Sequence, residues 1–305
     1  MKRFLAALVA MLALLALAGR FSLDAAAVRA SARAEFEYDR SMKRDILALM
    51  LAYPDDIAGV RREEDGLVYI VMHSSDEVMY DDGREKGFDE QLWNADVQDM
   101  MAMAYPLGAV ETLRQGNDDP GRVRCYALLH ALYGGTQRDI ESNLVSVGLV
   151  SGRYSFASQG ADAAEAAMQE VAALASQDNS VYGCVFPLNG TYNYRVIAGT
   201  STLSAHAFGI ALDFCSHSGD YWRWSSREAG QARLDAFPQC VVDAMENHGF
   251  IWGGKWAHFD FLHFEYRPEL ILKARCTSEA EPWYSGFPQD AQTREAIVLI
   301  EDALG

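Results

Sequence analysis

Apolar residues recur at helical spacing from about Ala25 to Leu51, in an Ala/Arg/Glu-rich stretch that Tyr53-Pro54 brings to a stop, which predicts a helix. Gly66 to Met72 (GLVYIVM) is a β-branched run and reads as a strand, followed by a polar loop or hairpin from Ser74 to Gly87. Helical patterns return over Asp89 to Tyr105, Arg122 to Tyr133 (closed by Gly134-Gly135), Asp139 to Val147 and the alanine-rich Ala161 to Ser176. After Asn179 the pattern changes to short β-favouring runs with many aromatics and glycines. Val181 to Phe186, Tyr194 to Ala198, Gly209 to Phe214 and Phe261 to Tyr266 are strand candidates; Arg233 to Asn247 and the tail Thr293 to Leu304 are helix candidates.

The first residues differ from all of this. Lys2 and Arg3 precede an apolar run from Phe4 to Ala18 that ends in Ala16-Leu17-Ala18, the form of a secretory signal. The run is shorter than the ~20 residues a membrane-spanning helix needs. We therefore expect a signal peptide over 1–18, with cleavage as late as about residue 27, and no stable span in the exported protein. Export permits disulfides, but five cysteines (Cys125, Cys184, Cys215, Cys240, Cys276) cannot all pair within a monomer, and none lies in a C-x-x-C spacing. Buried thiols, or one or two disulfides, are expected. Lys+Arg 26 against Asp+Glu 43 gives a formal charge of -17, which argues against a nucleic-acid partner because phosphate binding needs clustered cations.

The candidate chemistry lies in two places. In "SAHAFGIALDF" (Ser204 to Phe214) strand alternation sends Ile210, Leu212 and Phe214 one way and Ala211 and Asp213 the other. His206 precedes Gly209, where the chain can turn, so His206 and Asp213 can converge. Such a pair alone is more often a satisfied hydrogen bond than a ligand set. The second run, "WGGKWAHFDFLHFEY" (Trp252 to Tyr266), alters the balance by carrying His258, Asp260, His263 and Glu265 among aromatics. A strand built for packing has no use for four titratable groups. His/Asp/His suits a hydrolytic zinc site with one position left for water, and a carboxylate off the metal is then needed as base. Asp260 and His263 are three apart, so Asp260 belongs on a turn entering a short strand at His263.

The patterns S-x-H-x-x-G-x-A-x-D and G-G-x-W-x-x-F-D-x-x-H-F-E, in that order, resemble the zinc D-Ala-D-Ala carboxypeptidase and L-alanyl-D-glutamate endopeptidase family, which trims peptidoglycan stem peptides. "GTYNYRVIAGTS" (Gly190 to Ser201) resembles the same family, and a weaker likeness reaches back to "DPGR" (Asp119 to Arg122). The resemblance implies Zn2+ held by His206, Asp213 and His263. It implies Asp260 as general base, where many members carry glutamate, and Arg195 as the group that holds substrate and polarises the scissile carbonyl. Ser204 and Trp256 are further substrate-side candidates, Ser204 also steadying the turn; His258 and Glu265 read as supporting residues. The implied partner is a peptidoglycan stem peptide, in the periplasm, cell envelope or outside. The GGKW-x-x-FD arrangement leans towards the endopeptidase over the carboxypeptidase. A hedgehog-like zinc-binding module without peptidase activity is the alternative, against which Asp260 argues.

The fold expectation is α+β: a small, mainly antiparallel sheet carrying the zinc site, flanked by helices. Residues 28–135 are expected to form a mostly helical region of unknown role, 136–285 the catalytic domain and 286–305 a helical tail.

Overall fold

The computed structural model describes residues 30–278 and 280–305, so the signal-like segment lies outside the described residues. Two compact units are present, Met1–Lys43 and Arg44–Gly305. The first is helical over its described residues 30–43. The second opens with helical residues 44–52 (α1), whose Ile46, Leu47, Leu49 and Met50 are buried, and the helix ends before Tyr53-Pro54.

A three-stranded antiparallel sheet follows, β1 (Ile57–Arg62), β2 (Val68–Met72) and β3 (Glu77–Met79), in the order β1-β2-β3, so residues 74–87 contribute a strand and not only a loop. Two short helices, α2 (Phe88–Asn94) and α3 (Val97–Ala102), replace the single helix expected over Asp89 to Tyr105. The break occurs because Asp96 caps a new helix, exchanging hydrogen bonds with Asp99 in a capping box. α4 (Tyr126–Tyr133) starts later than the Arg122 expected, since Asp119 to Gly121 make a turn that leaves residues 122–125 non-helical.

Three expectations are overturned. Asp139 to Val147 is not one helix: α5 (Gln137–Ser142) stops, and β4 (Leu144–Gly148) pairs with β5 (Arg153–Ala157) in an antiparallel hairpin. The β-branched Val145 and Val147 found a cross-strand partner, which local propensity could not foresee. Val181 to Phe186 is not a strand but α7 (Asn179–Val185), capped by Asp178, with Val181, Cys184 and Val185 buried at helical spacing. Between these lies α6 (Ala161–Ala175), as expected. Tyr194 to Ala198 forms no strand; its only pairing is a bridge from Val196 to Leu203.

The sheet that matters for chemistry is β6 (Ala211–Asp213), β8 (His263–Tyr266) and β7 (Phe250–Trp252), antiparallel in the order β6-β8-β7. Before β7 the expected helix over Arg233 to Asn247 is split by Pro238 into α8 (Arg227–Ala236) and α9 (Gln239–Asn247). α6 packs on α9, and α9 on β7, so two helical layers back the sheet. Phe208, Phe214, Phe250, Phe261 and Phe264 are fully buried in this core. α10 (Pro268–Arg275) and α11 (Ala291–Leu304) complete the chain, α11 packing against β1. The architecture is α+β, helices around small antiparallel sheets. No helix among the described residues is long and apolar enough to cross a membrane. All five cysteines are free thiols, four of them at least partly buried and Cys240 exposed.

Candidate metal centre

Ser204 starts a single 3-10 turn, Ala205–Phe208, its hydroxyl accepting from the His206 backbone N–H at 3.3 Å. Gly209 ends it at φ +71°, a left-handed conformation where any Cβ would also collide with Leu144. The chain leaves this turn directly into β6, so His206 on the turn and Asp213 at the strand end face the same point. Across the sheet Asp213 pairs in register with His263 and Ala211 with Glu265.

Three ligand atoms, one each from His206, Asp213 and His263, lie within 4.8 Å of one another. Asp213 Oδ1 is 3.1 Å from His206 Nε2 and 3.0 Å from His263 Nδ1. The other ring nitrogens point outward. His206 Nδ1 donates to the Thr191 carbonyl at 2.6 Å, which leaves Nε2 as the nitrogen that faces inward. His263 Nε2 faces Glu265 Oε2 at 3.5 Å, which leaves Nδ1 inward. Glu265 is fully buried and held by both Nε and Nη2 of Arg124, at 2.9 and 2.5 Å, and by Arg267 at 3.3 Å.

Electrostatics follow from this crowding. Burial opposes the charge on Asp213, but hydrogen bonds from both histidines hold its carboxyl well below the usual carboxylate range. Burial likewise opposes a charged His263, yet Asp213 and Glu265 push its pKa up to about 10. Protons here occupy the gap between ligand atoms that a divalent cation would fill, since ligands bind metal deprotonated.

Asp260 lies just before the turn that enters β8, bridged to Tyr221. Gly253 makes this possible: its carbonyl accepts from Asp260 N at 3.0 Å, and a Cβ there would meet the Asp260 carbonyl at 2.5 Å. Burial, with Asp213 adding, raises the Asp260 carboxyl to about 6. Its Oδ1 is buried with no hydrogen-bond partner among the described residues. A buried carboxylate oxygen without a protein partner is costly, and a bound water, an ion or a catalytic role accounts for it. Two histidines with fixed tautomers, one carboxylate and an orphaned carboxylate oxygen beside them fit zinc in a hydrolytic setting.

A cleft of about 150 Å³ holds all seven of the residues expected from sequence: Arg195, Ser204, His206, Asp213, Trp256, Asp260 and His263. Arg195 is exposed, and its guanidinium has no partner among the described residues. Trp256 lines the cleft although only 5 % exposed, its indole donating to the Pro120 carbonyl at 2.7 Å, whereas Trp252 belongs to the core. The cleft also takes in Arg122, Arg124, Tyr221, Trp222 and His258. Arg124, Tyr221 and Trp222 were not singled out by sequence; the charge of Glu265 inside an aromatic strand was the available hint that a buried cation must meet it.

Residues 198–266 match the D-alanyl-D-alanine carboxypeptidase family. The matched segment carries both motifs and every proposed metal ligand, and it supports the family that those motifs resemble. The match supports, at the family level, a zinc peptidase acting on peptidoglycan, and with it an envelope or extracellular setting. No curated protein and no solved structure gave a significant match.

Proposed function

We propose that the chain hydrolyses a peptide bond of the peptidoglycan stem, with His206, Asp213 and His263 holding zinc. The observation that carries the reading is the unpaired, buried Asp260 Oδ1 beside a convergent His/Asp/His set. A module that only bound zinc would gain nothing from burying that oxygen without a partner among the described residues. When bound, zinc supplies Lewis acidity that acidifies a water and polarises the scissile carbonyl. Asp260 Oδ1 takes a proton from the attacking water and returns it to the leaving amine nitrogen as the new C–O bond forms and the C–N bond breaks. Arg195, a cation with no partner among the described residues, pairs with a substrate carboxylate or with the negative charge developing on the carbonyl oxygen. Ser204 and Trp256 bound the substrate side of the cleft.

The family description favours removal of the terminal D-alanine; the GGKW segment favours cleavage between L-Ala and D-Glu. Digestion of a purified stem pentapeptide, read by mass, separates them: loss of one alanine marks the carboxypeptidase, release of L-Ala the endopeptidase. Chelation should abolish either cleavage and zinc should restore it. Intact pentapeptide after incubation with zinc-loaded protein would overturn the proposal.

A further inference from the structure

The turn Asp119-Pro120-Gly121-Arg122 precedes the matched segment in sequence but is fastened to it at several points. The Pro120 carbonyl accepts from Trp256 Nε1 at 2.7 Å and the Gly121 carbonyl from Arg267 Nη1 at 3.0 Å. Asp119 is completely buried, and its carboxylate accepts three hydrogen bonds: from the His258 backbone N–H at 2.9 Å, from His258 Nδ1 at 2.6 Å and from Arg122 Nη1 at 2.7 Å. The imidazole of His258 is further confined by the Trp222 ring, edge to face at 4.5 Å, and by Phe88 stacked at 6.3 Å. His258 lines the cleft, and its Nε2 has no partner among the described residues.

A buried carboxylate on Nδ1–H fixes the neutral ring's tautomer, so Nε2 offers a lone pair. Three arginines also line this cleft, and guanidinium groups only donate. They can receive a peptide's carboxylate or carbonyls but cannot receive its N–H groups. The carboxylates of Asp213 and Asp260 are already occupied by the proposed function. Of the two hydroxyls in the lining, Ser204 Oγ already accepts the His206 N–H, and Tyr221 is the remaining alternative, which comparison with H258A distinguishes.

We propose that His258 is a substrate-binding residue that accepts a hydrogen bond from a backbone N–H of the peptide substrate, and that Asp119 is the positioning residue that presents it. Ordering the ring before substrate arrives lowers the cost of binding and selects the strand register in which an N–H meets Nε2. The inference rests on the stem-peptide reading above and adds to it the side chain that reads the peptide backbone.

The test replaces each N–H of a synthetic stem pentapeptide by oxygen in turn, one backbone ester per peptide, and measures kcat and KM for zinc-loaded wild type, H258A and H258Q. Comparing the two proteins on the same ester cancels the ester's intrinsic reactivity. One ester should penalise wild-type kcat/KM by roughly three- to tenfold more than it penalises H258A, chiefly through KM. H258Q, whose side-chain carbonyl can accept, should recover part of that sensitivity, and zinc content should match wild type in both variants. An H258A penalty equal to the wild-type penalty at every position would overturn the proposal, as would a loss in H258A explained by lost zinc. Should wild type leave the pentapeptide uncut, the stem-peptide reading falls, and the same series is then read as Kd. One ester must still discriminate between the proteins, and absence of binding would end both readings.

Discussion

Asp213 and His263 are cross-strand partners in the β6–β8 pair, and Asp213 Oδ1 lies 3.0 Å from His263 Nδ1. Strand register alone therefore joins two of the proposed ligands, 50 residues apart in sequence, and the third enters from the turn that feeds β6. A slip of one residue would turn Asp213 away and oppose it to an apolar side chain. We expect Asp213→Ala and His263→Ala each to lower zinc affinity by more than about 100-fold, since removing a ligand should cost more than removing a residue that merely supports one. Titration against a competing chelator measures this, and a Kd within a few-fold of wild type would remove either residue from the ligand set.

Glu265 acts on the site through His263. It is fully buried, bound by Arg124 and Arg267, and shares a strand face with the histidine whose outer nitrogen it meets. Glu265→Gln keeps the shape and removes the charge, leaving two buried guanidinium groups short of an anion. Zinc affinity should fall by about 10–100-fold, and stability by about 3–5 kcal/mol, as for a broken buried ion pair. Urea denaturation of the zinc-free protein separates the two effects. A variant with unchanged zinc affinity would show that the Glu265 contact does not orient the ligand.

Asp260 and Gly253 make a pair of predictions. Asp260→Ala should bind zinc like wild type and lose about 100- to 10,000-fold in kcat on the stem pentapeptide, the usual worth of a positioned acid–base group. Gly253→Ala should do much the same without touching a functional group, because its Cβ would force the Asp260 backbone away. Zinc analysis with steady-state kinetics on both variants checks this. Full turnover by Asp260→Ala would remove its role as base.

The convergence of His206, Asp213 and His263 was more legible in the sequence than the secondary-structure elements around it, although the α+β class itself was legible there too. Metal ligands must be particular residue types, and His206, Asp213 and His263 stood out as candidates because the apolar runs around them have no packing use for such side chains. Secondary structure failed where neighbours decided it. Val145 and Val147 became a strand because Arg153–Ala157 supplied the other edge, while Val181, Cys184 and Val185 became a helix once Asp178 capped it. Asp96 and Pro238 were visible but went unread: each divides a pattern expected as one helix, as a cap and a proline do by their chemistry. The Arg124–Glu265 pair was hidden because its residues are 141 positions apart, and only one half of it looked out of place in the sequence.

The turn that carries Gly253 and Gly254 is anchored by a buried ion pair. Lys255 donates to Glu246 and to the Pro106 carbonyl, and Tyr105 donates to Glu246 while accepting from Trp252 N. Burial dominates both charges, pushing Glu246 up and Lys255 down against their mutual attraction. Such a pair contributes little net stability, because desolvation offsets most of the Coulomb gain, yet a lone survivor is expensive. Lys255→Met and Glu246→Leu should each cost about 3–5 kcal/mol, while the double variant should cost clearly less than the sum. A double-mutant cycle by urea denaturation reads the coupling directly. Additive losses would mean that the two charges are independently solvated in the folded protein, and that the loop is held by packing alone.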